Sequence, residues 1–278
     1  MEVLGLHLTN DDFQAFSNLV RAKAGINLHE GKRELVRARL SRRVRECNFQ
    51  TFRDYYDFVV SDETGDELIQ VLDSISTNLT NFFREPKHFN FMNEKMLPAL
   101  VAEREKKGPR RLRIWSAGCS TGEEPYTIAM TVLEFSPRIA DWDFKILATD
   151  ISTRVLKSAW EGEYPMDRLR DVPHAQLRKY FTKGTGYRDG WFRVRDEIRN
   201  LIVFRRFNLM ETFPFKHPLD LIFCRNVMIY FDKATQARLV NKFYGALNPG
   251  GYLFIGHSES LTGVDHGFKY VQPTVYRK

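Results

Sequence analysis

The chain should fold as an α/β protein, with a mostly parallel, doubly wound sheet, a closing antiparallel hairpin and a separate all-helical N-terminal domain. Three observations lead there. From Leu112 onward, short runs of β-formers alternate with helical patterns, as in parallel strands joined by crossover helices. That series opens on Arg113-Ile114-Trp115-Ser116-Ala117-Gly118-Cys119-Ser120-Thr121-Gly122-Glu123-Glu124-Pro125-Tyr126. This reads as a strand, a loop of small residues and a helix start, the arrangement in which nucleotide-like ligands sit. Residues 1–77, by contrast, carry only helical periodicity.

In order, Thr9-Asn10-Asp11-Asp12 caps a first helix that runs to about Ala24, with Phe13, Phe16, Leu19 and Val20 on one face and Gly25 as its stop. A second helix is expected over 31–46, with Val36, Leu40, Val44 and Cys47 as its apolar stripe, and further helices over 52–60 and 66–75. Residues 78–110 read as a linker and connecting helix. The stretch Thr77-Asn78-Leu79-Thr80-Asn81-Phe82-Phe83-Arg84-Glu85-Pro86 sets polar side chains beside two Phe, and its local reading is a helix start capped by Thr80 or Asn81. A long helix over 86–107 follows. Residues 111–278 then hold a helix over 124–133, strands over 144–148, 201–204 and 219–224, and a helix over 233–247. Asn248-Pro249-Gly250-Gly251 marks a turn before a strand at 252–255, and 268–271 with 275–277 form the closing hairpin around Gln272-Pro273. Gly184, Gly186 and Gly190 among β-formers mark a small antiparallel insertion at about 178–200.

Composition narrows the function. At 278 residues and 43% hydrophobic, with 22 Phe, the chain can bury sizeable cores. No apolar run approaches the roughly 20 residues of a membrane span, so no membrane insertion is expected. Residues 1–10 have neither a basic start nor an apolar signal core, which points to a cytoplasmic protein. Cys47, Cys119 and Cys224 lie far apart and match no disulfide or metal spacing, so no metal is expected. The net charge of +7 is uneven: residues 1–77 hold 10 Lys/Arg against 13 Asp/Glu, and the remainder 32 against 22. A basic surface suits nucleic acid or an acidic protein. No RNP1-type motif or zinc-finger spacing is present, so nucleic acid is not the expected partner.

The opening loop restricts the ligand. It lacks the Lys of a P-loop. Its helix begins with Glu123-Glu124, which repels phosphate and welcomes an ammonium or sulfonium, favouring S-adenosylmethionine over NAD or ATP. The bland reading is a structural turn with a solvated acidic first helical turn. Gly118, Ser120 and Gly122 at alternate positions let backbone N–H groups approach a ligand. The other strand ends carry Asp150, Asn208-Leu209 and Arg225-Asn226. Asp150 is placed to accept two ribose hydroxyls, or else to cap the helix that follows. Asn208 suits an adenine edge with Leu209 against its face, and Asn226 suits the amino-acid part of the cofactor.

The blocks Thr-Asn-Leu-Thr-Asn-Phe-Phe-Arg-Glu at 77–85, Ser-Thr-Gly-Glu-Glu-Pro-Tyr at 120–126, Asn-Leu at 208–209, Phe-Cys-Arg-Asn-Val-Met-Ile-Tyr-Phe at 223–231 and Gly-His-Ser-Glu at 256–259 resemble, in this order, the chemotaxis-receptor methyltransferases of the CheR family. The resemblance covers nearly the whole chain. It implies the class I S-adenosylmethionine-dependent methyltransferase fold. It also implies methyl transfer to glutamate side chains on the cytoplasmic helices of chemoreceptors during receptor adaptation, leaving glutamate methyl esters and S-adenosylhomocysteine. By motif, Asn78, Thr80, Arg84, Gly118, Glu124 or its neighbour Glu123, Asp150, Asn208, Leu209, Arg225 and Asn226 would line the cofactor site, with Arg84 and Tyr230 nearest the methyl group. Locally, Arg84 is equally consistent with a salt bridge to Glu85, and Tyr230 with a place in the core. The alternatives from other classes are a methyltransferase acting on nucleic acid, although no Asn-Pro-Pro-Tyr-type motif is present, and a non-catalytic module that binds the nucleoside.

An acidic receptor helix needs a basic reader. Seven Lys/Arg lie between Lys32 and Arg45 against a single acid, Glu34, and Lys32, Arg39, Arg42 and Arg43 fall on one flank of the second helix. They are the docking candidates, against the plainer reading of a solvated face. In some members of the family that the chain resembles, the insertion binds a pentapeptide tether at the receptor C-terminus by strand addition, and the Gly184-Thr185-Gly186 segment resembles such members; the plainer reading is a solubilising flap.

Overall fold

The computed structural model describes residues 6–107, 109–135, 139 and 141–278. Helix α1 (Asn10–Ala24) starts at a capping box: the Thr9 hydroxyl accepts the Asp12 N–H, and the Asp12 carboxylate accepts from Thr9 in return. It stops at Gly25, whose left-handed φ of 73° suits glycine. Helices α2 (Arg33–Glu46), α3 (Phe52–Ser61) and α4 (Asp66–Ile75) complete the N-terminal unit around Phe13, Phe16, Val36, Leu40, Phe52 and Tyr55.

Residues 76–86 form no helix, so Thr80 and Asn81 are not caps. The long helix read over 86–107 is interrupted. α5 (Lys87–Phe91) passes through a π-turn (Met92–Met96) into α6 (Leu97–Lys107), where the Leu97 N–H reaches back to the Met92 carbonyl. Pro98 follows and has no N–H to offer, which is where an α-helical ladder is weakest.

The main sheet contains β1 (Arg111–Ala117), β2 (Asp143–Asp150), β6 (Ile202–Arg206), β7 (Leu219–Cys224), β8 (Leu247–Ile255), β9 (Lys269–Gln272) and β10 (Val275–Arg277), in the order β6-β2-β1-β7-β8-β10-β9. The first five are parallel, and β10 runs antiparallel to both β8 and β9. The chain leaves β1 toward β2 on one side and returns to β7 on the other. The sheet therefore reverses direction at the carboxyl end of β1, where open α/β sheets take their ligands. One face packs on α5, α6 and α7 (Glu123–Phe135). The other packs Trp115, Ile222, Leu253 and Ile255 against α9 (Lys233–Ala246), with the Trp115 indole donating to Thr149 Oγ1 at 2.9 Å.

The insertion is a second, antiparallel sheet of order β3-β5-β4, formed by β3 (Glu163–Pro165), β4 (Phe181–Lys183) and β5 (Trp191–Val194). It begins earlier than residues 178–200 because β3, directly after α8 (Thr153–Glu161), is recruited to it. A three-residue strand ending in proline leaves no alternation to read.

Candidate active site

The carboxyl ends of β1, β2, β6 and β7 open onto a crevice of about 1280 Å³, its open mouth included. Its other walls come from Ala24, Ile26, Leu28, Lys32 and Leu35 of the helical unit and from the linker between Ile75 and Arg84. The floor is the loop after β1. Gly118 has φ 85°, and a Cβ there would lie 2.4 Å from Val227 Cγ2, so the backbone stays bare. Ser120 is held at φ 49° by two bonds: its N–H donates to Asp150 Oδ2 at 2.9 Å, and its hydroxyl donates to the Asn78 carbonyl at 2.9 Å. Asp150 also accepts the Ser152 N–H on Oδ1 at 3.0 Å, and burial pushes its carboxyl up against these backbone donors. Capping of α8 falls instead to Ser152, whose hydroxyl accepts the Val155 N–H.

The linker makes the next wall. Asn78 lines the crevice, and its Nδ2 is buried with no hydrogen-bond partner. The Thr80 carbonyl accepts from Arg168 at 3.2 Å. Arg84 donates from Nη1 to the Leu79 carbonyl at 2.8 Å and forms no ion pair among the described residues, so the suggested bridge to Glu85 is not made. Glu85 instead turns inward at φ 58° and takes two bonds from Arg225, at 3.0 and 3.3 Å.

Arg225 is the buried hub. Its guanidinium binds Glu85, the Arg84 carbonyl and Glu124 Oε2 at 3.3 Å, and lies over the Phe89 ring. Glu124 also accepts the Ser116 hydroxyl at 2.7 Å, yet burial still raises its carboxyl above the usual range. Burial pulls Glu85 the same way, but the His257 N–H and Arg225 outweigh it and hold its carboxyl low. Asn226 sits at φ 59° beside this hub. The result is a concave site with carboxylates at its floor, bare backbone, an unsatisfied amide donor and a free-standing cation at its rim.

Comparison with known proteins decides the family. The model of the family described as "CheR methyltransferase, SAM binding domain" matches residues 78–277, and that of its "all-alpha domain" matches residues 11–76. The chain belongs to the CheR methyltransferase family. It is 43% identical over 277 residues to the chemotaxis protein methyltransferase of Borreliella burgdorferi, covering 99% of this chain and 96% of that protein. It is 42% identical over 275 residues to chemotaxis protein methyltransferase 2 of Pseudomonas aeruginosa, with 97% and 94% covered. It is 39% identical over 272 residues to the Escherichia coli chemotaxis protein methyltransferase, with 98% and 92% covered. The cofactor is therefore S-adenosylmethionine, and the fold is that of class I methyltransferases. The orphaned Asn78 amide and the bare Gly118 backbone fit such a ligand.

Within this CheR-family site, Asn78, Thr80, Arg84, Gly118, Glu124, Asp150, Asn208, Leu209, Arg225, Asn226 and Tyr230 all line the crevice. Glu123 does not. Its fully buried carboxylate faces the insertion side, bound to Arg168 and the Thr121 hydroxyl, because successive helix positions point about 100° apart and only one of the pair can face the ligand. Asn208 is only partly available: its Nδ2 donates to the Lys23 carbonyl at 2.6 Å and its Oδ1 accepts the Met210 N–H, leaving one amide hydrogen. Tyr230 donates weakly to the Thr77 carbonyl at 3.5 Å, and its ring carries the Lys32 ammonium at 5.0 Å.

The docking set also divides. Lys32 lines the crevice, and Arg42 is exposed, paired with Glu46. Arg39 is engaged by the carbonyls of Ile75 and Ser76 and by Thr77, and Arg43 by Glu67, so neither is free for a partner. Both lie where the basic flank meets α4, and long cationic side chains there reach the nearest carbonyls and carboxylates. Sequence reasoning gives no role at the site to Glu85, named only as a bridge partner for Arg84, or to Glu259. Both fall inside quoted motifs, at 77–85 and 256–259, which was the available signal.

Proposed function

We propose that this methyltransferase esterifies glutamate side chains on the cytoplasmic helices of chemoreceptors, leaving glutamate methyl esters and S-adenosylhomocysteine, and that it works in the cytoplasm. The observation that carries the reading is the crevice mouth, where Arg84 and Lys32 present cations beside Leu79, which is 78% exposed. A cationic rim with an apolar side chain suits an acidic amphipathic helix. Bound S-adenosylmethionine supplies an activated methyl group on a sulfonium.

A glutamate carboxylate, with a reference pKa near 4.3, is already ionised at neutral pH and needs no base. The residues therefore have to position rather than activate, which is worth up to about 7–11 kcal/mol. Arg84 orients the incoming carboxylate through a charge-assisted bond. Tyr230 shapes the wall beside it. Asp150 holds the ribose, and Asn78 and Asn226 the amino-acid part. Lys32 and Arg42 steer the acidic receptor helices. The insertion takes a C-terminal pentapeptide tether as an added strand, since β3 and β4 are the edges of its sheet.

The test is methyl transfer from labelled S-adenosylmethionine to receptor membranes. Label released as methanol by mild base supports the ester. Label that survives base overturns it.

A further inference from the structure

The motif Gly256-His257-Ser258-Glu259 lies outside the crevice and has no task in the reaction as derived so far. We propose that Glu259 is a positioning residue which, opposite Glu85, holds the Arg225-Asn226 turn in the shape that binds the cofactor. This rests on the placement of Arg225 and Asn226 in the cofactor crevice.

The Glu259 side chain is 8% exposed, and its carboxylate accepts three backbone N–H groups. Oε2 takes Gly256 at 2.5 Å and Asn226 at 3.0 Å, and Oε1 takes Ile229 at 3.2 Å. These bonds fasten the turn after β7 from one side. From the other, Glu85 Oε2 takes the Arg225 guanidinium, and Oε1 takes Asn226 Nδ2 at 3.4 Å and the His257 N–H at 3.0 Å. The turn between the two carboxylates is held with Asn226 at φ 59°, in the left-handed region that few residues other than glycine adopt without support from their surroundings. Two other residues of the motif, Gly256 and His257, fit the same task. A Cβ on Gly256 would stand 2.5 Å from Asn226 Nδ2 and 2.7 Å from its backbone N, so only glycine lets the turn close. His257 contributes its N–H to Glu85.

The neighbourhood also invites another reading. Glu85 Oε2 lies 3.6 Å from His88 Nδ1 and 4.0 Å from His257 Nε2, a trio spaced like a metal site. The same oxygen already carries Arg225 at 3.0 Å, however, so the cation this cluster holds is the guanidinium.

The test measures S-adenosylhomocysteine binding by calorimetry in the full-length protein. Glu259→Gln keeps the size but offers a single acceptor oxygen to three donors, and should weaken binding about 10- to 100-fold, the worth of a charge-assisted bond. It should raise KM for S-adenosylmethionine with kcat at saturation kept within a few fold. Asn226→Ala should weaken binding by itself, and the double variant should be weakened by much less than the product of the two losses, because one acts through the other. Should Glu259→Gln not yield folded protein, Glu85→Gln reads the same turn from its other side. A Glu259→Gln protein that melts earlier but binds the nucleoside like the wild type, or losses that multiply in the double variant, would overturn the proposal. An Asn226→Ala protein with unchanged binding would overturn the placement of the crevice residues and this inference with it.

Discussion

Replacing Asp150 by Ala tests the site most directly. The carboxylate has room for about four accepted bonds, and Ser120 and Ser152 occupy two of them at 2.9 and 3.0 Å, which leaves room for up to two from the ribose hydroxyls proposed above. Hydrogen bonds to a charged group contribute roughly 1.5–3 kcal/mol each, so losing two costs about 3–6 kcal/mol. Water entering the vacated space returns part of this, and the lower end, about 3 kcal/mol or roughly 150-fold in Kd, is the expectation. The substitution also strands two buried backbone donors, so the ligand-free protein should lose stability separately. Calorimetric titration with S-adenosylhomocysteine and thermal melting of the ligand-free protein read the two effects independently. A lower melting temperature with Kd unchanged within about threefold would refute the reasoning. Asp150 would then be only a brace that shapes the loop after β1.

Three further outcomes follow. Arg84→Ala should lower kcat about 10- to 100-fold, the worth of one charge-assisted bond, while S-adenosylhomocysteine affinity stays within a few fold; normal turnover on receptor membranes would remove Arg84 from the mechanism. Arg43→Met leaves Glu67, buried against the Tyr55 hydroxyl at 2.7 Å, without its cation, and should cost about 3 kcal/mol in urea unfolding, the low end for a buried pair because Arg43 keeps 26% exposure; an unchanged midpoint would contradict this. His88 is 1% exposed, and burial, with Arg225 nearby, pushes its pKa down to about 3, so the folded protein keeps it neutral while the unfolded chain protonates below about 6.5. The unfolded state then binds more protons as the medium becomes acidic. The contribution of His88 is therefore intact above pH 6.5 and is lost progressively as pH falls toward 3, by up to about 1.4 kcal/mol per pH unit. His88→Gln should flatten the stability-versus-pH curve in that window, and an equally steep curve would show that other groups carry it.

The fold was legible wherever a local rule and the global arrangement agreed. Thr9 and Gly25 bracket α1 by capping chemistry alone, and β7 was readable end to end because all six of its positions are buried. Legibility failed where the deciding contact is distant in sequence. Helical periodicity places Arg39 and Arg43 on a basic flank, but only the packing of α4 beside that flank turns them into struts for Ser76 and Glu67. Glu123 and Glu124 are indistinguishable as neighbours in a motif. The rotation of α7 about its axis, set by the apolar face it buries, sends one to Arg225 and the other to Arg168. β3 was invisible because its partner β5 lies nearly thirty residues away.

The backbone itself argues for the same crevice. Six non-glycine residues among those described have positive φ; two of them, Ser120 and Asn226, line the crevice, and two more, Phe83 and Glu85, flank Arg84, which also lines it. Each such residue costs on the order of 1–3 kcal/mol and persists only where its surroundings over-determine it. Each has its support: Phe83 donates to the Thr127 hydroxyl, Glu85 is held by Arg225, Ser120 by Asp150, and Asn226 by Glu259. Strain shared by three segments far apart in sequence, and countered by a hydroxyl, a guanidinium and two buried carboxylates, is what a site prepared before its ligand arrives requires. It also explains why the linker at 77–86 has no regular structure. A helix there would satisfy its own backbone, but it could not turn Asn78 and Arg84 toward the crevice and Glu85 toward Arg225 within eight residues.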